Sequence, residues 1–111
     1  MMIAKCDIKI DEVDYQIIVN VGSMIDVEKR TGKTFMKVVK EAESGSFVAI
    51  ADLLASCLCK DEKPVGFNFV ENMAFDVFND LASPLIDTII ASFPDKDNKK
   101  KVEVISPAQK R

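Results

Sequence analysis

The side chains able to do chemistry are few in this 111-residue chain. Its three cysteines are Cys6, Cys57 and Cys59. An odd count at irregular spacing is not a disulfide framework, and Cys57-x-Cys59 is too tight for a zinc knuckle. Histidine is absent, so the commonest general base and the commonest metal ligand are both missing. The thiols therefore read as small, reduced core residues. Among the carboxylates, Glu28, Asp52 and Asp87 are the candidates, but each falls on a helical face where solvated acids normally sit. Nothing in their spacing places two of them in one apolar pocket, as acid–base work requires. Four scattered glycines cannot form a phosphate-cradling loop, and with no tryptophan and one tyrosine an aromatic platform would have to be built from phenylalanine. The expectation is a non-enzymatic protein, without metal or cofactor, whose role is binding or assembly.

Composition sets the frame in which those residues sit. Hydrophobic residues make up 48% and charged residues 30%, the balance of a globular domain able to bury its own core. One domain is expected over residues 1–94. No apolar run approaches the ~20 residues that span a bilayer. The start, Met1-Met2-Ile3-Ala4-Lys5, has neither the basic region nor the apolar stretch of a signal peptide. A cytoplasmic protein without membrane contact is expected. The net charge of −3 hides an asymmetry. Residues 95–111 hold six basic and three acidic side chains, a net +3 that leaves −6 on the body. An acidic body repels phosphates. Its one arginine is Arg30, and the most apolar helix offers only Asp52, Ser56 and Lys60 outward, so no nucleic-acid partner is expected. The basic stretch reads as an unfolded tail, although Val102-Glu103-Val104-Ile105 could add a short strand to a partner.

The first segment alternates: Ala4, Cys6, Ile8 and Ile10 share one face, and Lys5, Asp7 and Lys9 the other. After the polar Asp11-Glu12-Val13-Asp14, Tyr15, Ile17, Val19 and Val21 alternate with Gln16, Ile18 and Asn20. Together these predict an antiparallel hairpin over about residues 3–21, with a register left open because the turn lacks Asn-Gly or Asp-Gly. Ser23 with Asp26 resembles an N-cap and its partner for a helix over 23–31, which Gly32 ends. A second helix runs over 34–43, capped by Thr34, with Phe35, Val38, Val39 and Ala42 on one stripe. Ser44-Gly45-Ser46 breaks it.

A third helix is predicted over 47–60. It is apolar on most sides, through Phe47, Ile50, Ala51, Leu54, Cys57 and Leu58, with Leu53 and Ala49 on one side of them and Ala55 and Val48 on the other. Such a helix is central, or buried in an interface. Asn68 followed by Glu71 resembles a capping box for a helix over 68–80, with Phe69, Val70, Met73, Ala74, Val77 and Phe78 on its apolar face. Phe75 lies on the opposite, polar side, either filling a gap under a loop or standing as an anchor for a partner. Ser83-Pro84 reads as the start of a last helix over 84–93, with Leu85, Ile86, Ile89, Ile90 and Phe93 inward. The fold class is α+β: a small, mostly α-helical domain with an N-terminal antiparallel β-hairpin.

The order of these elements, with Ile25-x-x-Glu28-Lys29-Arg30-x-Gly32-Lys33 closing one helix and Phe47-x-x-Ile50-x-x-Leu53-Leu54 opening the central one, resembles the tail assembly chaperones of long-tailed, siphovirus-like bacteriophages and prophages. The resemblance spans about residues 3–93 and includes no catalytic signature. It implies a protein that binds the long, helical tape measure protein, keeps it soluble, and is displaced by tail tube subunits. Several copies on one client imply a homo-oligomer. Within that frame the candidate contact residues are Phe75, Met73, Phe69 and Leu53. Met24, Met36 and Met73 could supply adaptable contacts, although methionines more often fill core gaps. The family is also often made in a longer, frameshifted form, and Lys99-Lys100-Lys101 is compatible with a purine-rich slippery stretch. Two other roles fit the same residues: a structural or connector subunit of a phage tail, and a small regulatory protein.

Overall fold

The computed structural model describes residues 4–93. The expectations for 95–111 lie outside the described residues. Strand β1 (Ala4–Ile10) and strand β2 (Val13–Val19) pair antiparallel, from Ala4 opposite Val19 to Ile10 opposite Val13. The two-residue turn between them, Asp11-Glu12, has positive φ at both positions (49° and 68°). That is the type I′ geometry matching strand twist, reached here without glycine. Along β1, half-buried and exposed residues alternate as the sequence predicts. Helix α1 (Val21–Thr31) follows, then α2 (Phe35–Glu43) and α3 (Phe47–Cys57). Strand β3 (Leu58–Lys60) and strand β4 (Lys63–Pro64) come next, and helices α4 (Phe67–Glu71) and α5 (Phe75–Ala91) complete the described residues. The sheet order is β1-β2-β3-β4, antiparallel throughout.

The α+β class holds, with a larger sheet than the hairpin alone. The central helix does not run to residue 60. It stops at Cys57, Leu58 turns extended (φ −78°, ψ 122°), and Leu58 and Cys59 pair with Ile17 and Gln16 of β2. A short apolar run such as Cys57-Leu58-Cys59 reads equally as helix or strand, and the open edge of β2 decides it. A second Asp-Glu turn, Asp61-Glu62, again with both φ positive, closes β3 onto β4. The Gly66 amide then returns to donate to the Ala55 carbonyl at the end of α3 (3.0 Å).

Three helix starts also move. The α1 cap is Asn20, whose side chain accepts from the Ser23 amide (2.9 Å) while the Ser23 hydroxyl accepts from the Asn20 amide (3.0 Å). Ser23 is thus the third helical residue and not the cap, and β2 ends at Val19. The helix predicted over 68–80 is two pieces. Asn68 makes no side-chain cap; the Asn72 side chain instead donates to the Asn68 carbonyl (2.8 Å), and Ala74 is extended. Finally, α5 runs unbroken from Phe75 through Pro84, so Ser83-Pro84 starts nothing. A proline inside a helix costs about 3 kcal/mol. Burial of Leu81, Leu85 and Ile89 on one continuous stripe outweighs it, at about 1.5–3 kcal/mol for each aliphatic side chain.

Helix α3 is the centre of the molecule, and eight of its eleven residues are buried. It packs on α1, α2, α4, α5 and β2, while α5 also covers β1 and β2. The expected stripe of α2, Phe35, Val38, Val39 and Ala42, is buried against it. Gly32 takes the left-handed C-cap (φ 72°) and Thr34 caps α2, as the sequence predicts. Among the described residues, no helix is long and apolar enough to cross a membrane.

Candidate functional site

The carboxylates singled out by type are not brought together. Glu28 accepts from the Phe35 amide (2.8 Å), so it supplements Thr34 in capping α2. Asp52 is half-buried on α3; burial, the dominant effect, pushes its carboxyl above the usual range despite Arg30 and Lys33 nearby. Asp87 is exposed on α5.

A different carboxylate, Asp26, has the most specific polar environment. Its Oδ2 accepts from the Ser56 hydroxyl (2.6 Å) and from Arg30 Nη2 (2.6 Å), and Arg30 Nη2 also lies 3.2 Å from Ser56 Oγ. The Ser56 hydrogen bond, helped by Arg30 and opposed by burial, holds the Asp26 carboxyl below its ordinary value. A depressed carboxylate is a poor base. The trio ties α1 to α3. The cysteines are free; Cys57 and Cys59 are buried and Cys6 half-buried. Burial pushes the Cys57 thiol up to about 12 and raises Cys59, so neither is poised as a thiolate.

One concavity, about 510 Å³, lies on the outer face of the sheet. Its polar groups are largely occupied with one another, through Lys9–Asp14 (3.4 Å) and the Gln16 amide donating to Asp7 (3.0 Å). A smaller groove of about 300 Å³ between α3, α4 and α5 is of another kind. Phe47, Val48, Phe67, Met73, Phe75 and Phe78 line it, and Glu71 is its one charged wall residue. Phe47 meets Phe75 edge-on (centroids 6.0 Å, 74°) and Phe78 likewise (6.0 Å, 85°). Even so, Phe47, Val48 and Phe75 remain 64%, 65% and 63% exposed. Five of the seven phenylalanines lie on α4 or on the adjoining starts of α3 and α5. An apolar, aromatic groove of this sort takes the side chains of a partner.

Of the four candidate contact residues, Phe75 and Met73 line this groove. Phe69 lies in a second cleft, with Ile10, Asn72 and Val77, and its ring packs on Tyr15 (centroids 5.8 Å). Asn68 and Phe69 of α4 face this cleft and Phe67, Val70 and Glu71 the groove, so α4 forms the ridge between them, and Met73 borders both. Leu53 is fully buried in the core and offers no surface. The elements packed around α3 cover it, which a helical wheel cannot reveal. The residue pattern puts Phe47 in the core stripe and Val48 on its flank, yet both are exposed. The available signal was the break at Ser44-Gly45-Ser46, which puts both in the first turn, where a side chain projects past its neighbours. Compared with known proteins, the chain matches no family model, no curated protein and no solved structure.

Proposed function

We propose that this protein is a non-enzymatic tail assembly chaperone of a long-tailed bacteriophage or prophage, acting in the host cytoplasm. It takes the apolar face of the helical tape measure protein into the groove between α3, α4 and α5 and keeps that client soluble until tube subunits replace it. The observation carrying this reading is the aromatic groove itself: Phe47, Val48 and Phe75 stand more than half exposed and line one groove, whereas Val21 and Ile90, also more than half exposed, lie outside it. Exposed aromatics in a continuous patch mark interaction surfaces. Helix-in-groove recognition needs such a trough and apolar anchors about one helical turn apart on the client. Several copies along one client are expected, as is self-association.

The test is co-expression with the tape measure protein of the same tail gene cluster. The expected result is a client that is insoluble alone and that co-elutes with several copies of this chain. Phe75→Asp should abolish co-elution while leaving the fold intact. A client equally soluble with and without this chain would sink the reading. Recovery of the chain in finished particles would favour a structural tail subunit.

A further inference from the structure

The elements that form the aromatic groove carry charge of one sign. Residues 47–59, which form α3 and the start of β3, hold Asp52 and no lysine or arginine. Residues 66–93, which form α4 and α5, hold Glu71, Asp76, Asp80 and Asp87, again with no lysine or arginine. Glu71 lines the groove, and Asp76 is exposed one residue beyond Phe75. An apolar trough with an acidic rim selects an apolar segment flanked by cations.

Such a segment lies on this same chain, beyond the described residues. Lys99-Lys100-Lys101 is followed directly by Val102-Glu103-Val104-Ile105. These three aliphatic side chains are the last large ones of the sequence. The reach is adequate. The groove lies at the N-terminal end of α5, whose 17 residues measure about 25 Å. The nine residues from Phe93 to Val102 extend to about 30 Å, and three more bring Ile105 to about 40 Å.

We propose that the segment from Lys99 to Ile105 docks in cis on the aromatic groove, with its lysines toward Glu71 and Asp76 and its valines and isoleucine against Phe47 and Phe75. The tail thereby competes with any client for the groove. It shields exposed aromatic surface when no client is present, and it sets a threshold that a client must exceed. The inference rests on the groove and its charge, and stands whatever the client is.

The test uses the full chain and a dye that fluoresces on apolar surface, anilinonaphthalene sulfonate, with amide exchange over 47–52 and 75–80 as the second readout. The first variant is Lys99→Glu with Lys100→Glu and Lys101→Glu. The second is Val102→Asp with Ile105→Asp. Both changes lie outside the described residues, and far-ultraviolet circular dichroism checks that each variant stays folded. Losing the lysines' charge pairing with Glu71 and Asp76 weakens docking on the order of ten-fold. Dye emission and exchange in both segments should therefore rise in each variant, independently of protein concentration. Adding Glu71→Lys and Asp76→Lys to the first variant should return both readouts toward wild type. Unchanged emission in both tail variants would overturn the proposal. A rise that depends on concentration would overturn docking in cis, because it reports exchange between copies. A tail that docks while the tape measure protein is ignored would leave this inference standing and remove the chaperone reading.

Discussion

Helix α3 meets its neighbours in two opposite ways. Near its C-terminal end, the Ser56 hydroxyl is 1% exposed and is spent between the Asp26 carboxylate and the Arg30 guanidinium. At its N-terminal end, Phe47 and Val48 stand in solvent beside Phe75. Burying a hydroxyl or a carboxylate is costly unless each finds its partner, so the first region is committed to holding the fold. Leaving aromatic rings exposed costs the fold little and keeps their burial free energy available for a later encounter. Chemically specific contacts thus mark the scaffold here, and featureless apolar ones mark the surface proposed for binding. That reverses the usual expectation for an enzyme, where the polar cluster would draw attention first.

The sharpest way to break this contrast is at Leu53, which sits between the two regions and is fully buried. Leu53→Ala should destabilise by about 2–5 kcal/mol in denaturant unfolding. A loss under 1 kcal/mol would mean that α3 is not the packed centre. Ser56→Ala comes next. It strips one hydrogen bond from Asp26 and leaves Arg30 with one partner fewer, at a cost of about 1–3 kcal/mol.

The pH dependence of stability separates the acids of the scaffold. Because the Asp26 carboxyl is lowered in the folded state, its stabilising contribution is fully present above the ordinary value of 3.8 and is lost as pH falls through the folded value. Asp26→Asn should flatten that acid limb. Asp52 is raised instead, so its charge penalises the fold at neutral pH and the penalty fades as pH falls. Asp52→Asn should bend the same curve in the opposite sense. Parallel curves for both variants would contradict the hydrogen-bond geometry at Ser56. The smallest effect on stability belongs to the groove. Phe75→Asp should cost about 1 kcal/mol or less, mainly its edge contact with Phe47, read as a small shift in Tm. The same change should remove client binding altogether. A large loss of stability would place Phe75 in the scaffold.

Much of this was legible in the residue order. The alternation of Ala4, Cys6, Ile8 and Ile10 against Lys5, Asp7 and Lys9 encodes β1 directly, since strand periodicity needs no distant partner. The stripe Phe35, Val38, Val39 and Ala42, with Thr34 before it and Gly32 before that, encodes α2 and its entry. Phe75 stood out because it broke the polar face of a predicted helix, and it does stand in solvent. Leu53 did not read correctly, because exposure on a helix that is apolar on most sides depends on what packs around it. Sequence alone assigned the hydroxyl of Ser56 to an outward polar strip, yet it is buried; its partners lie on α1, far away along the chain.

The amino-acid sequence by itself determined the short-range features: the strand pair, the amphipathic faces, the caps at Gly32 and Thr34, the lack of histidine and the division of charge. Those depend on the rotamers, periodicity and hydrogen-bonding groups of residues within a few positions of one another. The tertiary structure alone decided where α3 ends, because the free edge of β2 takes Leu58 and Cys59 as a strand. It alone carried α5 through Pro84, because one continuous buried stripe outweighs the lost hydrogen bond. It alone gathered Phe47, Met73, Phe75 and Phe78 into one groove. Each of these outcomes turns on burial and pairing between segments distant in the chain, which no local pattern records.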